Sequence, residues 1–231
     1  MSDGFAELLD RAQAFYGQLA QNNTKDWFEP RKDQWKTDIE APAKLLAELV
    51  AEEISRMTGD PHTPKVFRIH RDLRFSNDKT PYKTQLAMLW SSGDAKDLAP
   101  VFYFGITPTD TFLGCGIRAF EKEALMRYRA MVDTWGDRLA KLIADSGGHI
   151  ADIGPMPLKR VPRPYDADHP HADLLKRKSL ALRRMLPDGW RADGDGLVAA
   201  IANGIEGLLP FRQFLTERLS AHTEHPHQVS I

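Results

Sequence analysis

Arg68, Arg71 and Arg74 stand three residues apart, with His70 and Asp72 between them and Asp78, Lys79, Tyr82 and Lys83 just beyond. Three guanidiniums, two ammoniums and a phenol thus fall within sixteen residues. Arginine presents a planar fork of donors that keeps its charge at any physiological pH, so the cluster suits a phosphate, sulfate or carboxylate. Lys79 and Lys83 would add mobile positive charge, Asp72 could hold one arginine in position, and Tyr82, behind the rigid Pro81, could donate a hydrogen bond. Were the site to do chemistry, the arginines would stabilise developing negative charge, and Asp72, His70 and Tyr82 would be the proton-transfer candidates. The candidate binding set is therefore Arg68, Arg71, Asp72, Arg74, Asp78, Lys79, Tyr82 and Lys83, and the expected partner is a small anionic molecule.

The charge balance separates three readings of this cluster. The chain has 31 basic and 32 acidic residues, yet residues 65–83 hold six basic and two acidic side chains, and residues 159–184 hold eight and three. Two basic islands therefore sit in an otherwise acidic chain. The second begins in a segment, 155–170, that carries five of the fifteen prolines, a density that excludes helix and central strand. A long ordered loop in a compact domain is usually functional, so Lys159 and Arg160, with His169, are expected to fold toward the first island and complete one composite site. A nucleic-acid partner spanning both islands is the alternative, and its affinity would fall steeply with salt. The third reading is a scaffold in which each arginine ends on its own carboxylate. A ligand site needs the reverse, with at least two of Arg68, Arg71 and Arg74 in one cleft beside Lys79 or Tyr82 and their donors open.

Other patterns point away from familiar chemistry. Asp166, His169, His171 and Asp173 cluster, but the rigid His-Pro-His run does not bring both imidazoles to one ion easily, and no metal is expected. Cys115, the sole cysteine, lies between Gly114 and Gly116 with nothing adjacent to lower its pKa, which predicts a buried, inert thiol and fits a reducing cytoplasm. Those glycines suggest a close approach of side chain or backbone, because no phosphate-cradling glycine pattern is present. No apolar run approaches the roughly 18 residues of a membrane span, and the N-terminus lacks a secretory pattern. No residue pattern names a reaction, a cofactor or an oligomeric state.

The run Arg68, Arg71, Asp72, Arg74, Phe75 followed by Asp78, Lys79 and Tyr82 resembles the RxxRDxRF and DKxxY mark of an uncharacterised bacterial family of about this length, found also within some longer fungal proteins. The resemblance extends to Asn22, Asn23, Trp27 and Phe28 upstream, and to Leu158–Arg160, His169–Pro170 and the segment from Leu174 downstream. It covers nearly the whole chain. That family is of unknown function, so the resemblance implies no substrate, cofactor or catalytic residue.

The elements that must position these residues follow from periodicity. Phe5, Leu8, Leu9, Ala12, Phe15 and Leu19 recur at helical spacing, Thr24 is placed to cap a second helix bearing Trp27, Phe28 and Trp35, and Pro42 breaks or restarts that helix before a third stripe from Leu45 to Met57. From Lys65 the period changes to two, predicting strands over 66–75, 83–91, 101–106 and 111–118, with Thr107–Asp110 as a hairpin turn. In the first strand Arg71 would fall among apolar side chains, which calls for a bulge or a waiting carboxylate. A long helix is predicted near 121–146, then a short helix running into a strand within 174–186, and two closing helices at 197–209 and 211–219. Together these predict one α+β domain over residues 1–221, a central antiparallel sheet of four to six strands flanked by helices with an N-terminal helical segment, followed by a flexible tail at 222–231.

Overall fold

Apolar side chains at alternate strand positions build the centre of the molecule. Met88 and Trp90, Phe102 and Phe104, Leu113 and Cys115, and Leu180 and Leu182 are all fully buried or nearly so, and each pair comes from one strand with the intervening residue facing the other way. The computed structural model describes residues 4–74, 78–93, 99–186, 189–193 and 196–220, so Phe75 and the proposed tail at 222–231 lie outside the described residues.

The N-terminal quarter is helical, as its periodicity predicts. Helix α1 (Gly4–Gln21) is followed by the short turns α2 (Lys25–Phe28) and α3 (Lys32–Trp35), and then by α4 (Ala41–Thr58). The Thr24 hydroxyl accepts the Trp27 N–H at 3.3 Å, giving α2 its cap. Pro42 begins α4 rather than breaking it, since the first helical turn tolerates a missing N–H. Gly59, left-handed at φ 77°, closes α4.

Six strands follow: β1 (His62–Val66), β2 (Leu86–Ser92), β3 (Val101–Ile106), β4 (Thr111–Ile117), β5 (His149–Ile150) and β6 (Leu180–Met185). They form one sheet in the order β1-β2-β3-β4-β6-β5 with every pairing antiparallel. The Thr107–Asp110 hairpin is present, with the Thr107 N–H bonded to the Asp110 carbonyl at 2.8 Å. The long helix α5 (Lys122–Asp145) bends at Trp135, whose φ and ψ of −127° and 20° are not helical. Then come α6 (Ala172–Leu175), α7 (Trp190–Asp193), α8 (Gly196–Glu206) and α9 (Leu209–Ser220). Helices α4, α8 and α9 cover the apolar sheet face, and the Trp90 indole donates to the Ala47 carbonyl at 2.8 Å to join α4 to it. The result is an α+β fold with an antiparallel sheet flanked by helices.

The first strand departs from its expected place. It spans His62–Val66 rather than 66–75, starting earlier and ending where the arginine cluster begins. Two causes are visible. Pro64 is acceptable because β1 is an edge strand, and the segment after Val66 folds back on itself, with the Arg71 N–H bonded to the Pro81 carbonyl and the Lys83 N–H to that of Ile69. Arg68, His70, Asp72 and Arg74 therefore do not share one strand face.

Among the described residues, no helix lines the groove that runs along the opposite sheet face. On that face one row crosses all six strands, from Lys65 through Leu89, Tyr103, Gly114 and Arg183 to His149. A side chain at Gly114 would overlap both the Leu182 carbonyl oxygen and the Tyr103 ring, and one at Gly105 would overlap the Phe112 ring. The aromatic side chains thus lie down against the backbone of the facing strand. Gly114→Ala should cost about 1–3 kcal/mol, the usual range for overpacking a filled site, measured as a lowered urea midpoint with an unchanged slope.

At the start of β1, His62 is buried, its ring centre 5.9 Å from that of Phe102 and tilted by 40°. Burial, with the nearby charge of Arg212, holds its pKa below the usual value against the opposing hydrogen bond to the Asp60 carbonyl. A histidine with a lowered folded pKa binds protons more readily when unfolded, so its contribution is complete above the unfolded value of about 6.5 and is lost as pH falls toward the folded one. The urea midpoint should therefore decline from neutral pH downward, and His62→Gln should flatten that decline.

Candidate functional site

The sequence cluster folds into a clasp rather than a cleft. Its strands meet through a single bridge between His70 and Tyr82. The Asn23 side chain behaves as a further peptide group, donating to the Tyr82 carbonyl at 2.9 Å and accepting the Tyr82 N–H at 3.1 Å. The Tyr82 ring is 2% exposed, packed 4.3 Å from Phe28 and 5.2 Å from His70. Burial, followed by the charge of Glu29, raises its pKa. This position holds the cluster to the N-terminal helices and does not present the phenol to a ligand.

Two of the three guanidiniums have carboxylates. Arg74 grips Asp72 through two bonds, Nε to Oδ1 at 2.9 Å and Nη2 to Oδ2 at 2.7 Å, and this contact holds the Asp72 carboxyl below its ordinary range. Arg71 pairs with Asp78 and donates to the Thr80 hydroxyl at 2.9 Å. Asp78 in turn accepts from the Thr80 backbone and hydroxyl, which with Arg71 depress its pKa. A carboxylate does wait for Arg71, but the expected sharing of open donors between arginines is not met. The Lys79 ammonium donates to the Leu73 carbonyl at 3.1 Å.

Arg68 and Lys83 are placed differently. Arg68 is exposed and has no carboxylate partner among the described residues. Lys83 donates to the Arg68 carbonyl at 2.9 Å, and its ammonium and that of Lys65 lie 5.3 and 5.5 Å from the centre of the Phe67 ring. Burial lowers the Lys83 pKa, and repulsion from Arg68 and Lys65 adds to the effect. Two ammoniums beside one aromatic ring, with Arg68 close enough to repel Lys83, form a cationic corner.

Phe67 also lines a groove of about 530 Å³ across the open sheet face, a volume within the range of small-molecule sites. Its floor includes Leu89, Val101, Tyr103 and Phe112, and its far wall Arg118, His149, Asp152, Ile153 and Arg183. The Arg183 guanidinium lies 3.8 Å from the Phe112 ring centre. Neither Arg118 nor Arg183 has a carboxylate within ion-pair distance among the described residues, although Asp152 shares the wall. Sequence reasoning missed this groove. A legible signal did exist in Gly105, Gly114 and Gly116, which with the aromatics of β3 and β4 mark a face where rings lie over bare backbone.

The proline-rich loop does not bring Lys159 and Arg160 to the arginine cluster. It starts at the groove wall, where the Ala151 N–H bonds to the Ala181 carbonyl and the Ser179 hydroxyl to that of Ile153. It then runs past α6, with Leu158 bonded to Lys176, and ends against α5. There His169 faces Asp133 at 3.4 Å and His171 faces Asp137 at 2.8 Å. Lys159 and Arg160 remain exposed. Among the described residues, no group of three His, Cys, Asp or Glu could hold a metal ion, and no helix is long and apolar enough to cross a membrane. Cys115 is fully buried, and that burial raises its thiol pKa.

Residues 11–214 match the family model described as a conserved hypothetical protein, DUF2461. A comparison with curated proteins finds no match.

The loop's end depends on Gly136, because a side chain there would overlap the His171 ring. Gly136→Ala should push His171 off Asp137 and loosen the loop, so that trypsin cuts after Lys159 and Arg160 several-fold faster. An unchanged cleavage rate would mean that these contacts do not hold it.

Proposed function

We propose, for a chain that belongs to the DUF2461 family of conserved hypothetical proteins, that it binds a small organic anion in the groove on the open sheet face. What carries this reading is a contrast between two sets of arginines. Arg71 and Arg74 spend their charge on Asp78 and Asp72, whereas Arg118 and Arg183 line a concave apolar surface with no carboxylate within ion-pair distance among the described residues. A charged fork held over apolar surface with its donors open is suited to an arriving carboxylate or phosphate. Lys65 and Lys83, set against Phe67 at the other end, and Arg68, which repels Lys83, add an attractive field for the same charge. Arg71, Asp72, Arg74, Asp78 and Tyr82 support this site by holding the cationic corner in place. Lys79, Lys159 and Arg160 take no part in it.

The experiment is thermal unfolding of the purified chain against inorganic phosphate, small mono- and dicarboxylates, and a short oligonucleotide. An anion that binds only the native state adds about 2.7 kcal/mol of stability when present at about 100 times its Kd. Arg183→Met keeps the apolar stem, and should weaken binding about 10- to 100-fold, the effect of losing about 1.5–3 kcal/mol of charge-assisted hydrogen bonding. Arg160→Met should leave binding unchanged, and Arg74→Met should weaken it far less than Arg183→Met. Loss of binding in Arg74→Met with retention in Arg183→Met would return the site to the sequence cluster. Stabilisation by the oligonucleotide alone, falling steeply with salt, would favour a nucleic-acid partner.

A further inference from the structure

We infer a second ligand site on the helix-covered side of the sheet, where His62, Ser92 and Arg212 meet, and assign it to a small oxyanion that keeps one proton, of the bicarbonate kind. Register brings the three residues together. His62 of β1 and Ser92 of β2 are Cα partners in the antiparallel pairing, which sets their side chains beside each other on one face with Cβ atoms about 4.5–5.5 Å apart. Arg212 reaches the same place from α9, its Nη2 donating to the Ser92 hydroxyl oxygen at 2.6 Å. The Phe102 ring packs against both outer members, its centre 5.9 Å from that of His62 and 5.4 Å from the Arg212 guanidinium.

The charge calls for an anion. Arg212 and His62 are each 7% exposed. A guanidinium does not shed its proton, and a buried charge is costly unless an opposite one meets it. Among the described residues no carboxylate lies within ion-pair distance of Arg212, and Asp60, whose charge acts on His62, is exposed. The Ser92 hydroxyl and the Phe102 ring offset part of the cost, yet the Arg212 Nε is buried without a hydrogen-bond partner. The imidazole then selects the kind of anion. Its Nδ1 lies 2.9 Å from the Asp60 carbonyl, which only accepts, so the proton of the neutral ring sits on Nδ1 and Nε2 carries a lone pair. That Nε2 is likewise buried and unpartnered. Burial disfavours protonation of this ring, so an anion without a proton would set its charge against the lone pair. Bicarbonate answers both orphan atoms, because its oxygens accept from the guanidinium and its O–H donates to the His62 Nε2.

Titration of the full chain with sodium bicarbonate and, separately, sodium nitrate at about pH 8, following the His62 ring nitrogens by NMR, tests this. Nitrate has the size, shape and charge of bicarbonate and lacks the proton. Bicarbonate should move the Nε2 resonance saturably, as a lone pair gaining a donor does, and nitrate should bind at least about tenfold more weakly, the loss expected when a hydrogen bond at a buried acceptor goes unmade. Arg212→Met should weaken bicarbonate about 10- to 100-fold. An Nε2 resonance that neither ion moves means that water alone serves these atoms, and overturns the site. Equal affinity for the two ions overturns the proton-bearing ligand, and undiminished bicarbonate binding in Arg212→Met overturns the role of the guanidinium. Should Arg212→Met fail to fold by circular dichroism, the matched pair of ions on the unaltered chain decides alone.

Discussion

The absence of a side chain at Gly114 governs the open half of this molecule. Because nothing projects from that position, the Tyr103 ring reclines across the next strand and anchors its hydroxyl on the Leu182 carbonyl. The neighbouring Phe112 does the same over Gly105 and becomes the seat for Arg183. The buried face of the same strands follows the ordinary logic of large apolar residues packed to density under helices. One sheet thus carries two surfaces built on opposite principles, filled on one side and kept hollow on the other.

The conspicuous run of arginines is explained by the cost of holding like charges together. Asp72 and Asp78 lie within the same short segment as Arg71 and Arg74, so the local chain neutralises itself without help from distant elements. Ion pairs this exposed contribute little to stability. Their effect is geometric, because they define the shape of a loop that also pairs through Asn23, Tyr82 and Phe28 with the N-terminal helices. That shape leaves Arg68 and Lys83 facing outward beside Lys65.

Much of the architecture was legible because periodicity reports directly on burial. The alternation in β2, β3 and β4, the Thr24 cap and the stripe of α5 each state their conformation locally. The end of β1 was not legible. Alternating residues from Val66 to Phe75 satisfy a strand pattern, yet Arg71 and Ile69 there bond to Pro81 and Lys83, and the decisive partner, the Asn23 amide, lies 59 residues from Tyr82. The pairing of Arg71 and Arg74 with acids was similarly hidden, since spacing alone does not say whether Asp72 serves Arg68, Arg71 or Arg74. The groove escaped notice for a different reason. Its floor combines glycines and aromatics from β3 and β4, and only the register with β6 brings Tyr103 opposite Gly114 and both beside Arg183.

The two borders of the sheet share a property with consequences outside any binding event. At one border β1 contains Pro64, which contributes no N–H, and at the other β5 is only two residues long. Neither offers the long, regular ladder of donors and acceptors on which a foreign strand could template itself. A six-stranded antiparallel sheet with a groove along one face would otherwise be a natural seed for stacking at high concentration, so these blunted margins let the protein keep an apolar-floored groove in water without inviting polymerisation.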